Sequence, residues 1–178
     1  MNEFIRLSSS AASIGSGAFL YNDGRTNGVG MNDVEKILAI EEIKRVKSKY
    51  FYGLDHKDWD LWRREVWAPD GKLIVPEASI EAVGFDAVIS YVSASTADQV
   101  SVHHGHMPNI EITSETTATG IWAMEDRLYR TKEHPLADGS TYLHGFGHYH
   151  EEYVRLEKGW RIASTRLTRL RVQLSKVF

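Results

Sequence analysis

Three of the seven residues from Val100 to His106 are histidine, within the stretch "VSVHHGHMPNIEI" that runs from Val100 to Ile112. Histidine fills a core poorly, but its imidazole changes charge near neutral pH and is well suited to moving protons or binding metal. The rest of the stretch reads as a half-buried strand, in which alternate side chains share a face. Val100, Val102, His104 and His106 form one set; Ser101, His103 and Gly105 form the other. The histidines therefore see two environments, one interior and one facing solvent or a subunit contact. A carboxylate held against the interior imidazole would orient the ring, fix its tautomer and raise its basicity. A general base for C–H abstraction needs those three things.

The candidate carboxylates are Asp55 and Asp126. Asp55 sits in "YFYGLDHKDWD", at the exit of an expected helix that also carries Tyr50. On its own it reads equally well as a solvated turn residue, since lone carboxylates are mostly surface groups. Asp126 lies in "ATGIWAMEDRLY", where alternation puts Trp122, Met124 and Asp126 on one face. An acid in line with two large apolar residues needs a partner. In "WRIASTRLTRLRV", alternation places Trp160, Ile162, Ser164 and Arg166 together and turns Arg169 and Arg171 outward to solvent. An arginine or tyrosine opposite the base could stabilise an enolate or protonate a leaving hydroxyl. The chain thus holds the parts for an elimination or isomerisation without cofactor. A metal-binding alternative also exists, because His104, His106 and Glu111 have the spacing of a cupin motif that His148 and His150 could complete.

These residues need elements to position them. Asn32 or Asp33 caps an expected helix whose apolar positions Ile37, Ile40, Ile43, Val46 and Tyr50 recur at helical spacing. Asp58 caps a second over "DWDLWRREVW", with Trp59, Trp62 and Val66 on one stripe. Pro69-Asp70-Gly71 reads as a turn before a short strand, and "GFDAVISYVSAS" as a third helix. Strands are expected at Val100–His106, Ile110–Thr113, Thr116–Tyr129, Tyr142–Leu156 and Trp160–Leu174, parted by turn residues. Helices first and then a long meander is an α+β layout, a cone of helices on a curved, mostly antiparallel sheet around one pocket. Residues 1–30, rich in Ser, Gly and Asn, read as a flexible N-terminal arm, and 31–178 as one domain. The segment "RTKEHPLADGS" reads as a long hairpin loop near the pocket mouth or a neighbour.

Composition narrows the function. With 21 basic and 24 acidic residues and no long run of either sign, the 178-residue chain has no electrostatic footprint for nucleic acid or an anionic membrane. No cysteine is present, so thiolate chemistry and disulfides are excluded. No apolar run approaches the roughly 20 residues of a membrane span. The expected location is the cytoplasm.

Three segments, "YFYGLDHKDWDLW", "HHGHMPNIEI" followed by "TTATGIWAMEDRLY", and "GHYHEEYVRLEKGWRIASTRLTRL", resemble the SnoaL-like branch of the nuclear-transport-factor-2-like superfamily. Its members include scytalone dehydratase, bile acid 7α-dehydratase, ketosteroid isomerase, polyketide cyclases and ring-hydroxylating dioxygenase β subunits. The resemblance implies a cofactor-independent dehydratase-type lyase, with no metal, acting on a hydrophobic cyclic or aromatic molecule. Carried over by position, it implies catalytic roles for Tyr50, Asp55, His103, Asp126 and Arg166, with His104 as the base if the strand slips by one residue. Trp62, Phe85, His104, Trp122, Met124, Phe146 and His148 would line the substrate, although core packing accounts for most of the apolar ones. Relatives of this kind imply a homo-oligomer, a trimer or a dimer. The same fold equally admits an isomerase or cyclase, or a non-catalytic subunit such as a dioxygenase β chain.

Overall fold

The structure is a computed structural model that describes residues 30–176. The arm expected over 1–30 therefore lies outside the described residues, apart from Gly30.

The first helix, α1 (Asp33–His56), starts on a capping box: Asn32 Oδ1 accepts the Glu35 N–H at 3.0 Å, and the Glu35 carboxylate accepts the Asn32 N–H at 2.8 Å. It stops at Lys57, whose left-handed φ of 59° ends the run. Its buried face is Ala39, Ile43, Val46, Tyr50 and Leu54, and it also carries Lys47 inward. Ile37, expected on that face, is exposed. Asp58 caps the next segment by accepting the Leu61 N–H at 2.9 Å. The expected regular helix there is instead a single α turn, α2 (Trp59–Leu61), that widens into a π-turn over Trp62–Val66. Trp62 and Val66 are fully buried by it.

Seven strands follow, with the third helix, α3 (Phe85–Thr96), inserted after the second. They are β1 (Trp67–Val75), β2 (Ile80–Val83), β3 (Gln99–Gly105), β4 (Asn109–Ile112), β5 (Thr117–Arg130), β6 (Tyr142–Leu156) and β7 (Gly159–Ser175). They form one open sheet in the order β2-β1-β7-β6-β5-β3, with β4 also on β5. Only the β1–β7 pair is parallel. Pro69-Asp70-Gly71 does not reverse the chain: it lies inside β1, where the register with β7 slips between Trp67 and Lys72. The four-residue β2 is too short to show a period and escapes the sequence reading.

Two bulges on β7 decide which side chains enter the cone. Its register against β6 shifts once between Glu152 and Tyr153 and again between Phe146 and Gly147. A bulge inserts one unpaired residue and so reverses the in/out alternation beyond it. Trp160 and Ile162 point inward before the first bulge; after it the inward set is Thr165, Leu167 and Arg169. Arg166 is exposed, which corrects its expected place on the inner face.

On β6 the inward positions are Gly145, Gly147, Tyr149, Glu151 and Tyr153. Phe146 and His148 therefore stand on the outer face, not in a pocket wall, where Phe146 packs on the His144 ring at 4.3 Å. His104 is also outward, 6.4 Å from the His106 ring. Among the described residues no three potential metal ligands converge, so the cupin-like set does not assemble. No described helix is long and apolar enough to cross a membrane.

Candidate active site

α1 lies across the concave face of the sheet, and its last turn meets β3. Asp55 and His103 touch there: His103 Nδ1 is 2.6 Å from Asp55 Oδ1. The same carboxylate accepts the His103 backbone N–H at 3.0 Å through Oδ2 and the Ser101 hydroxyl at 3.0 Å through Oδ1. A carboxylate in an ionised state only accepts, so the proton in the shortest of these contacts is carried by Nδ1. Burial pushes the Asp55 carboxyl up, but the His103 ring and backbone hydrogen bonds, the histidine charge and the Ser101 hydroxyl outweigh it and hold it below the usual carboxylate range. Lys57, at the helix end, reaches back to the Ser101 hydroxyl at 3.0 Å and to the Leu54 carbonyl at 3.3 Å, clamping the turn that presents Asp55. The His103 side chain is only 8% exposed and that of Asp55 21%.

Asp126 stands directly beside this pair, because β3 and β5 register His103 opposite Asp126. It is fully buried and binds the Arg169 guanidinium, Nη2 to Oδ2, at 2.5 Å. Room for its carboxylate comes from Gly145 on the next strand, where any Cβ would collide with Asp126 Oδ1. Only half of this ion pair is satisfied: Asp126 Oδ1 and Arg169 Nε are buried with no hydrogen-bond partner among the described residues. Buried polar atoms are nearly always paired, so an acceptor and a donor left bare side by side are unusual. From outside, Glu77 accepts the Arg169 backbone N–H at 2.7 Å and anchors the bulged strand.

Behind this lies an aromatic layer. Tyr50 is buried, stacked on Trp62 at 4.7 Å and edge-on to Tyr149 at 5.8 Å. Burial, reinforced by the Glu151 charge, drives the Tyr50 phenol far above its ordinary value, and burial does the same to Tyr149. Both phenols therefore carry their protons in the resting protein. Trp122 and Met124 are buried on the inner face of β5, and the Trp122 indole donates to the Tyr153 hydroxyl at 2.9 Å. Phe85 is buried beneath the Arg63 guanidinium, 4.3 Å from its ring centre, and belongs to the core.

Deeper still, Lys47 Nζ meets Glu151 Oε1 at 2.5 Å, both fully buried. Glu151 also accepts from Thr165 at 2.9 Å and from the Tyr153 hydroxyl, while the ammonium stands 3.6 Å from the centre of the Tyr149 ring. Burial lowers the Lys47 pKa to about 8 even with Glu151 beside it.

The structure thus brings together Asp55, His103 and Asp126, with Tyr50 behind them, and leaves Arg166 outside. Sequence reasoning missed Arg169, Tyr149, Ser101, Lys57 and Lys47. Ser101 was visible as the neighbour of His103 on its face of β3, and Tyr149 as the inward alternate after two glycines. Nothing in the sequence marks Arg169, because the bulge that turns it inward depends on the pairing of β6 with β7.

The α+β cone with a histidine held against a carboxylate is the frame for comparison, and comparison supplies the family. The chain belongs to the SnoaL-like domain family, whose model matches residues 35–166. Solved structures share the fold at low identity. A hexachlorocyclohexane dehydrochlorinase, LinA type 2, superposes with a TM-score of 0.71 and 13% identity, over 83% of this chain and 95% of that one. A protein provisionally assigned as a scytalone dehydratase from Novosphingobium aromaticivorans gives 0.68 and 21%, over 82% and 93%. A nuclear-transport-factor-2-like superfamily protein of Salmonella enterica gives 0.64 and 16%, over 75% and 92%.

Proposed function

We propose that the protein is a cofactor-independent lyase of the dehydratase type, acting on a hydrophobic cyclic or aromatic small molecule. The observation that carries this reading is the 2.6 Å contact between His103 Nδ1 and Asp55, set one strand from the half-satisfied Asp126–Arg169 pair. Nε2 of His103 takes a proton from the carbon next to an activating carbonyl. The released electron pair forms the new C=C bond as the neighbouring C–O bond breaks. The departing hydroxyl takes a proton from the Tyr50 or Tyr149 phenol and leaves as water. Asp126 accepts a substrate hydroxyl through its bare oxygen, and Arg169 holds the developing negative charge. The arginine in this scheme is Arg169 in place of Arg166. The neighbours named as a dehydrochlorinase and, provisionally, as a scytalone dehydratase support an elimination as the reaction class.

The test is a screen of hydroxylated aromatic and steroid-like compounds, read by mass for loss of water, with His103→Ala and Asp55→Asn alongside the native protein. Turnover by the native protein that both variants lose, while keeping its circular dichroism, is the expected result. Activity retained in both variants removes the proposed base.

A further inference from the structure

A second cleft, of about 920 Å³, opens on the far side of α1, between the π-turn and the β6–β7 hairpin, and none of His103, Asp55, Asp126 or Arg169 lines it. Seven basic and three acidic side chains line it, although the whole chain carries a net charge of −3. Lys49 is paired with Glu65 and Arg63 with Asp86, but Arg45, Arg64, Arg155 and Lys158 have no carboxylate partner among the described residues. Exposed cations alone would be an ordinary solvated surface. The cleft wall is what distinguishes this one.

Arg161, only 9% exposed, has its guanidinium held by backbone carbonyls alone, those of Trp160 at 2.8 Å, Arg64 at 2.7 Å and Lys158 at 3.3 Å. Among the described residues no carboxylate pairs with it, and burial draws its pKa down, offset in part by the charge of Glu65. Beside it, the Trp67 and Trp160 side chains, 2% and 1% exposed, form the apolar part of the wall. The wall of this cleft thus holds a largely buried guanidinium with no ion-pair partner among the described residues, and its rim adds four more such cations, a local surplus of positive charge that calls for a negatively charged guest.

We infer that this cleft is a binding site for a compact, multiply charged small anion bearing phosphate or carboxylate groups, separate from the candidate active site. Arginines from three elements line it, Arg45 on α1, Arg64 in the π-turn and Arg155 on β6, and a guanidinium fork matches the paired oxygens of such groups. The site is concave and local, unlike the extended basic stripe that tracks a nucleic-acid backbone.

The test uses the full chain. Sodium pyrophosphate and sodium citrate are titrated separately at constant ionic strength, read by calorimetry and by intrinsic tryptophan fluorescence, with sodium chloride as the control. Saturable binding of one of them with a Kd below about 1 mM is expected, and which one binds identifies the anionic group. The double variant Arg45→Glu/Arg155→Glu, both exposed positions, should weaken it at least tenfold with an unchanged melting temperature. A response matched by chloride, or equal affinity in the double variant, overturns the inference. So does tight binding of single-stranded DNA with no response to either small anion. None of these readouts depends on the lyase reading.

Discussion

Among the described residues, the inner face of the cone carries two ion pairs built on a buried carboxylate, and they are finished differently. Lys47–Glu151 is closed: Glu151 accepts from Lys47, Thr165 and Tyr153, and the ammonium is wrapped by the rings of Tyr50, Phe51 and Tyr149. Asp126–Arg169 is open, with one carboxylate oxygen and one guanidinium N–H left bare beside His103. Burying a charge is costly, and full pairing keeps that cost tolerable. A fold tolerates the bare atoms of the second pair where binding a ligand completes them. The closed pair therefore specifies how α1 seats on the sheet, and the open one marks the end of the cone where chemistry is expected.

The comparison breaks most sharply at the dyad beside the open pair. His103→Ala or Asp55→Asn should lower kcat/KM about 10²–10⁴-fold with little change in melting temperature, as measured by steady-state kinetics on a substrate from the screen. Substitution in the closed pair should do the reverse. Lys47→Ala leaves Glu151 buried without its cation and should cost about 3–5 kcal/mol in urea denaturation. The double replacement Lys47→Met/Glu151→Leu, which removes both charges, should recover most of that loss. If Lys47→Ala is harmless, the pair does not anchor the helix.

Two arginines three residues apart sharpen the same contrast. Arg169→Ala removes the partner of buried Asp126 and should lower kcat about 10²-fold. Arg166→Ala, on the exposed side of the same strand, should stay within about 0.5 kcal/mol in stability and keep native activity. Equal losses in both would mean that the bulge does not turn the strand as described.

The smallest effects are in pH. Asp55 titrates below its ordinary value when folded, so its contribution to stability is complete above the unfolded value near 3.8 and is lost as pH falls through the lower folded one. Lys47 runs the other way. It releases its proton near pH 8 when folded, whereas the unfolded lysine holds it to about 10.5, so the unfolded chain binds more protons in that window and this group's contribution rises with pH. Urea melts of the native protein and of Lys47→Met at pH 7.5 to 10.5 (about the window set by that shift) should differ in slope.

Much of this was legible beforehand. The cap at Asn32, the long strands β5 and β6, and the third helix follow from short-range signals, and all appear within a residue or two of their expected ends. The two faces of β3 were separable because its period of two is unbroken, so Ser101 and His103 fell on one side and His104 and His106 on the other. The π-turn at Trp62 and the strand through Pro69-Asp70-Gly71 were not legible, because local propensity there yields to packing of the tryptophans and pairing with β7.

The chain by itself determined which residue types were at hand, the order of the long helices and strands, and, through regular alternation, that Trp122, Met124 and Asp126 share a face. Only the tertiary structure decided which face was interior, which arginine meets Asp126, and that a lysine would be buried against Glu151. The physical reason is range. Periodicity and caps are written within a few residues, whereas a bulge or a buried ion pair exists only once segments distant in sequence are paired, as the separation of 104 positions from Lys47 to Glu151 illustrates.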